Sequence, residues 1–165
     1  MRLNVGKKKA ISLFLIAFVV LSISFVRAEI SKLTKEQRNL LRQARQSKTI
    51  SRINDLPKPV IALCADSKGR FANPAEKWEP SDFIRDPSLP RKRMIWARNS
   101  GSYYIVHYES GGFAHGYHVL LSDFEDKTGS ATIQWHGIGG RLNDFETFLT
   151  AVDENKLDDQ LKYSE

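Results

Sequence analysis

Apolar and aromatic positions are densest between Tyr103 and Phe124, in the run YYIVHYESGGFAHGYHVLLSDF, which reads as two strands joined around Gly111-Gly112. Tyr103, Tyr104, Ile105, Val106 and Tyr108, then Tyr117 and Val119, are the β-branched and aromatic residues that suit a pleated, half-buried surface. Gly111-Gly112 between them supplies the positive φ angles of a two-residue type I′ turn. That turn sets Ser110 opposite Phe113, Tyr108 opposite His115, Val106 opposite Tyr117 and Tyr104 opposite Val119. His107 then meets Gly116, His118 lies diagonal to it, and Glu109 shares their face. A slip of one residue would move each of these side chains to the other face.

The same reading places the other elements. Met94–Arg98 is a strand, followed by a turn at Asn99–Ser102. Glu125–Ser130 is a second hairpin loop, and Ala131–Ile138 is the last strand. Val60–Ala65 is a short continuous apolar run, expected as a strand buried on both faces. Leu33, Leu40, Leu41 and Ala44 form one stripe of a helix over 31–48, opened by the capping-box pair Thr34 and Gln37. Asn143 with Glu146 caps a second helix, reaching about Asp153, whose Phe145, Phe148, Leu149 and Val152 share a face. Leu157, Leu161 and Tyr163 have the spacing of a short last helix. The expected class is α+β: an antiparallel meander of four to five strands, with an N-terminal and a C-terminal helix packed on one face of the sheet.

Asp66–Pro90 does not fit any period. It holds Pro74, Pro80, Pro87 and Pro90, yet also Phe71, Trp78, Phe83, Ile84 and Leu89. Unstructured connections of this length are usually functional or disordered, and the large apolar groups speak against a free linker. A packed Ω-like loop is expected, with one helical turn at Ser81–Arg85.

At the N-terminus, Arg2 and Lys7–Lys9 precede an apolar run from Ala10 to Val26, and Val26-Arg27-Ala28 is a small-x-small cleavage pattern. Residues 1–28 therefore read as a secretory signal cleaved after Ala28; a retained anchor is the competing reading. The organisation expected is a signal at 1–28, a basic amphipathic helix and linker at 29–56, and a single α+β domain at 57–165. The destination is the periplasm or the outside of the cell, with membrane association only through the N-terminal segment before cleavage.

Removing the signal changes the charge argument. The whole chain carries 25 basic and 19 acidic residues, but five of the basic ones lie in the signal and none of the acidic ones does. The remainder is close to neutral, and nucleic acid loses its compositional support as a partner. The charge is uneven: 16 basic and 8 acidic groups lie in 29–98, against 4 and 11 in 99–165. Either the halves attract each other on folding, or a basic face serves an anionic partner. The basic residues around the first helix pose the same choice between a solvated face and a surface for acidic protein or lipid. Arg91-Lys92-Arg93 reads as an edge-strand guard against aggregation, or as an anion contact.

Chemical motifs are sparse. The single Cys64 lies in an apolar run and reads as a buried thiol. His107-Tyr108-Glu109 has the H-x-E of zinc deaminases, but their P-C-x-x-C is absent. Gly137-Ile-Gly-Gly140 suits a tight strand-to-helix corner better than a phosphate cradle, because Asp144 and Glu146 would repel an anion. No cofactor motif or metal-ligand spacing is present. His107, His118 and Glu109 are candidates for acid–base or metal chemistry, and ordinary sheet histidines bonded to backbone are the competing assignment.

Two functions are left by this pattern. One is a small exported protein that acts by binding a protein partner, inhibitor- or immunity-like, through Trp78, Phe83, Arg85, Arg91 and Arg93. The other is a small hydrolase or metal-dependent enzyme using His107, His118 and Glu109. Partner identity and oligomeric state are open at this level.

Overall fold

The computed structural model describes residues 32–157. The signal and its cleavage point lie outside the described residues, as does most of the expected last helix. Within them the order is α1 (Lys35–Gln43), α2 (Lys58–Cys64), β1 (Lys92–Ser100), β2 (Tyr103–Ser110), β3 (Gly116–Glu125), β4 (Ser130–Gly139) and α3 (Phe145–Asp153). The strands form one antiparallel sheet in the order β1-β2-β3-β4. The α+β class and the meander are as the alternation predicts.

The hydrophobic residues divide between the two faces. On one, Trp96, Ile105, Val119, Leu121 and Trp135 pack with Leu41 and Ala44 below α1 and with Phe145, Phe148 and Leu149 of α3. On the other, Met94, Ala97, Val106, Tyr108 and Leu120 pack with Leu56, Phe71, and Val60 and Cys64 of α2. Helices thus cover both faces, where the sequence reading puts them on one. The reason is α2. Val60–Ala65 forms a helix and not the expected strand, because Pro59 sits in its first turn, where a missing N–H costs nothing. A short apolar run has no period of its own to distinguish a buried strand from a buried helix turn. Cys64 is fully buried there, and loss of hydration pushes its thiol up to about 12.

The caps explain the helix limits. The Thr34 side chain accepts from the Gln37 N–H while the Gln37 side chain accepts from the Thr34 N–H, the reciprocal box expected. A short 3-10 turn, Ala44–Gln46, ends this segment. Arg98 from β1 donates to the carbonyls of Ala44, Arg45 and Ser47 there, satisfying groups that a helix end leaves open. Asp144 caps α3 by accepting from Thr147, one residue beyond the expected Asn143. The outer edge of β1 is covered by single bridges to Ile50 and Ala72, which removes part of its exposed ladder.

The register of the central hairpin differs from the expected one. Ser110 pairs with Gly116, Tyr108 with His118, Val106 with Leu120 and Tyr104 with Ser122. Gly111–His115 is the connecting loop. Phe113, Ala114 and His115, taken as strand residues by the two-glycine turn, are exposed. The displacement is an odd number of residues, so β3 presents the opposite face to the one expected. The glycine at 111 is required for another reason: a Cβ there would lie 2.4 Å from the Glu79 carbonyl oxygen. The loop is pressed onto Asp66–Pro90 rather than folded back on itself.

Candidate functional site

The Asp66–Pro90 segment is ordered around carboxylates. Asp66 accepts from the backbone N–H groups of Lys68, Arg70 and Arg91 and from the Arg70 guanidinium. Glu79, buried at 5 % exposure, accepts from Ser81 Oγ at 2.6 Å and from the N–H groups of Ser81, Arg85 and Asp86. The Ser81 hydroxyl, with the backbone donors behind it, holds the Glu79 carboxyl down at about 2. These bonds do for the loop what a helix would do. The expected helical turn at Ser81–Arg85 is absent, and the chain there bends around Glu79.

The long loop meets the Gly111–His115 loop at one end of the sheet. The Gly111 N–H donates to the Arg91 carbonyl at 2.9 Å, and the Gly112 N–H to the Pro80 carbonyl at 3.2 Å. The five residues expected to contact a partner gather at this end, in different roles. Phe83 is 77 % exposed, and Arg85 is exposed beside it. Trp78 is half-buried, with the Arg93 guanidinium 5.0 Å from its ring and His115 edge-on at 5.4 Å. Arg93 turns inward to Glu109, Nε to Oε1 at 2.8 Å, and Arg91 donates to the Ser81 carbonyl at 3.2 Å. Arg91 and Arg93 therefore hold the loops together, and the charge of Arg93 is paired with Glu109. Two residues missing from the expected set join Phe83 here: Ile84, 47 % exposed, and Phe113, 97 % exposed. The break in alternation at Phe113-Ala114-His115 was the available signal for Phe113.

The histidines part company. His107 lies opposite Val119 and His118 opposite Tyr108, so His107 and His118 occupy opposite faces of the sheet. The expected shared-face set of His107, His118 and Glu109 is thus divided by the register. His107 is fully buried. Its Nδ1–H donates to the His118 carbonyl at 2.8 Å and its Nε2 accepts the Leu142 N–H at 3.1 Å. The Trp96 indole N–H donates to the Leu142 carbonyl at 2.9 Å. Together they tie the β4–α3 connection to the sheet. Burial holds the His107 imidazole down at about 4, as the neutral tautomer in this lock requires.

Glu109, 2 % exposed, is bound by Arg93 and by His115 Nε2 at 3.0 Å. It fixes Arg93 and His115 on either side of it, both of which contact Trp78, and beside it lies a cleft of about 220 Å³ lined by Pro74, Ala75, Arg93 and Arg141. On the other face, His118 is joined by His136, which the sequence could not place. Their rings stack at 5.2 Å, and the Tyr108 ring stacks on His118 at 4.9 Å. No group of three His, Cys, Asp or Glu side chains with the spacing of a metal site occurs among the described residues. No helix among them is long and apolar enough to cross a membrane.

Comparison of the chain with protein-family models, with curated proteins and with solved structures finds no match.

Proposed function

We propose that this is an exported protein of the periplasm or the cell exterior that works by binding a protein partner with the end of the sheet where its two loops meet. The observation that carries the reading is the exposure of Phe83, Ile84 and Phe113 on loops that Glu79 and the Gly111 and Gly112 N–H groups tie together. A loop that needed aromatics only to close the core would bury them. Large aromatic side chains on a rigid frame lose little entropy on binding and dominate interface energies. Trp78 and Arg93 beneath them form the frame. Recognition rests on the apolar tips more than on charge, since Arg91 and Arg93 are engaged within the protein.

The test is capture from envelope extracts with the wild-type protein and with a Phe83→Ser/Phe113→Ser variant of equal melting temperature. A protein retained by the wild type and lost by the variant supports the reading. Equal retention by both overturns it. Intact mass of the native protein addresses export separately: a chain beginning at Glu29 is expected, and one beginning at Met1 or Arg2 would show a retained anchor.

A further inference from the structure

Ser110 ends β2, and Gly116 lies across from it at the start of β3. The Ser110 hydroxyl is 2.7 Å from His118 Nε2. The other nitrogen of that ring, Nδ1, is 3.2 Å from His136 Nε2. A hydroxyl, an imidazole approached through Nε2 and a third group on Nδ1 are the parts of an activated nucleophile: nucleophile, general base and the partner that fixes the base's tautomer. The sheet register produces this arrangement. Ser110 and His118 share the face that carries Tyr108, and β4 brings His136 alongside through its pairing with Leu120.

Three features define the surroundings of the relay. The Tyr108 ring stacks on His118 at an interplanar angle of 14° and so fixes the imidazole plane. Burial, with the Lys92 ammonium as a positive neighbour, holds His118 down at about 4, so the ring is neutral at pH 7 and Nε2 can accept from the Ser110 hydroxyl. Gly116 lies directly against the Ser110–His118 pair: a Cβ there would sit 3.1 Å from His118 Nε2 and 3.7 Å from Ser110 Oγ.

We propose that Ser110, His118 and His136 form a nucleophilic relay that cleaves carboxylic esters by acyl transfer to Ser110. Ser110 Oγ bonds to the acyl carbon as its proton passes to His118 Nε2. The bond from the acyl carbon to the leaving oxygen breaks, and His118 returns the proton to that oxygen, releasing the alcohol. Water then attacks the acyl-serine with His118 again taking the proton; the carboxylic acid departs and Ser110 recovers its hydrogen. Ser110 and His118 are the catalytic residues. His136 is a positioning residue, accepting from His118 Nδ1–H and so keeping the proton off Nε2, which accepts from Ser110.

The experiment uses the full chain with a fluorophosphonate, which loses fluoride as its phosphorus bonds to a nucleophilic serine, and with p-nitrophenyl acetate. The expected result is a single adduct mapped to Ser110, and ester turnover that falls about 100-fold or more in Ser110→Ala and His118→Gln. Gly116→Ala retains both groups and the strand and should be labelled several-fold more slowly, because the added methyl intrudes on the pair. His136→Leu should lower kcat with KM unchanged, and His136→Gln, which restores an acceptor, should recover part of the loss. Circular dichroism of each variant separates unfolding from lost chemistry. No adduct on folded wild-type protein, or labelling that persists in Ser110→Ala, overturns the proposal. So does a rate that is the same in Gly116→Ala as in wild type.

Discussion

His107 shows how much one side chain carries in this protein. It spans two backbone groups, the His118 carbonyl and the Leu142 N–H, in a fully buried position. His107→Leu keeps the bulk but leaves both groups without their partner. Leaving a buried donor or acceptor unsatisfied costs about 1–3 kcal/mol, so an overall loss of about 2–3 kcal/mol is expected, read from denaturant unfolding. The same residue makes stability depend on pH. Its folded value of about 4 lies below the ordinary 6.5, and His118 is depressed in the same sense. Between these limits the unfolded chain binds protons that the folded chain does not, so stability falls as pH drops from 6.5 towards 4 and is complete above 6.5. Glu79 acts in a lower window. Its carboxyl is depressed from 4.5 to about 2, so its contribution is intact above 4.5 and lost as pH falls through 2. A melting temperature that stays level from pH 7 to pH 5 would refute the histidine assignment.

Elements are shaped at close range by glycines whose missing side chain is occupied by a neighbour. A Cβ at Gly137 would lie 2.1 Å from the Trp135 indole, so that ring lies across the strand where a side chain would stand. Gly137→Ala must displace Trp135 from the core, a kind of overpacking that typically costs about 1–3 kcal/mol. Gly140→Ala meets nothing within 4 Å and is the matched control, expected within about 0.5 kcal/mol of wild type. Equal melting temperatures for the two variants would show that Trp135 has another place to go. Gly111→Ala acts between elements, since the Glu79 carbonyl and Pro80 occupy the space. It should part the two loops and speed amide exchange at Gly111 and Gly112, which donate across the junction. Unchanged exchange there would argue against a tight junction.

Across the whole molecule, part of the uneven charge is paired between the two halves of the chain. Arg42 pairs with Asp153, Arg45 with Glu146, and Arg93 with Glu109. Arg42 of α1 and Arg45 of the turn that follows it therefore meet the acidic side chains of α3, as the attraction of the two halves predicts, and that charge is withdrawn from any external partner. Both pairs with α3 are more than half exposed, so each contributes little stability. The exposed tips of the two loops are apolar, at Phe83, Ile84 and Phe113. Phe83→Ala should leave the melting temperature unchanged, because that ring is mostly in water. Trp78→Ala should lower it, because Trp78 supports Arg93 and His115. The reverse order would move the proposed binding surface from the loop tips to the Trp78 cleft.

The sequence alone determined what depends on neighbours in the chain. The meander, its second hairpin and the Thr34–Gln37 cap follow from alternation and from short-range hydrogen bonding. The burial of Cys64 follows from the apolarity of its run, whatever that run folds into. Tertiary structure decided whatever depends on groups far apart. Gly111-Gly112 is compatible with a two-residue turn, but the carbonyls of Arg91 and Pro80 offer those N–H groups better partners, and the longer loop wins. That choice sets the register of β3 by an odd step. It separates His107 from His118 and brings Ser110, His118 and His136 to one face. Side chains alternate along a strand, so a single long-range contact at the turn decides which residues meet on every row of the sheet.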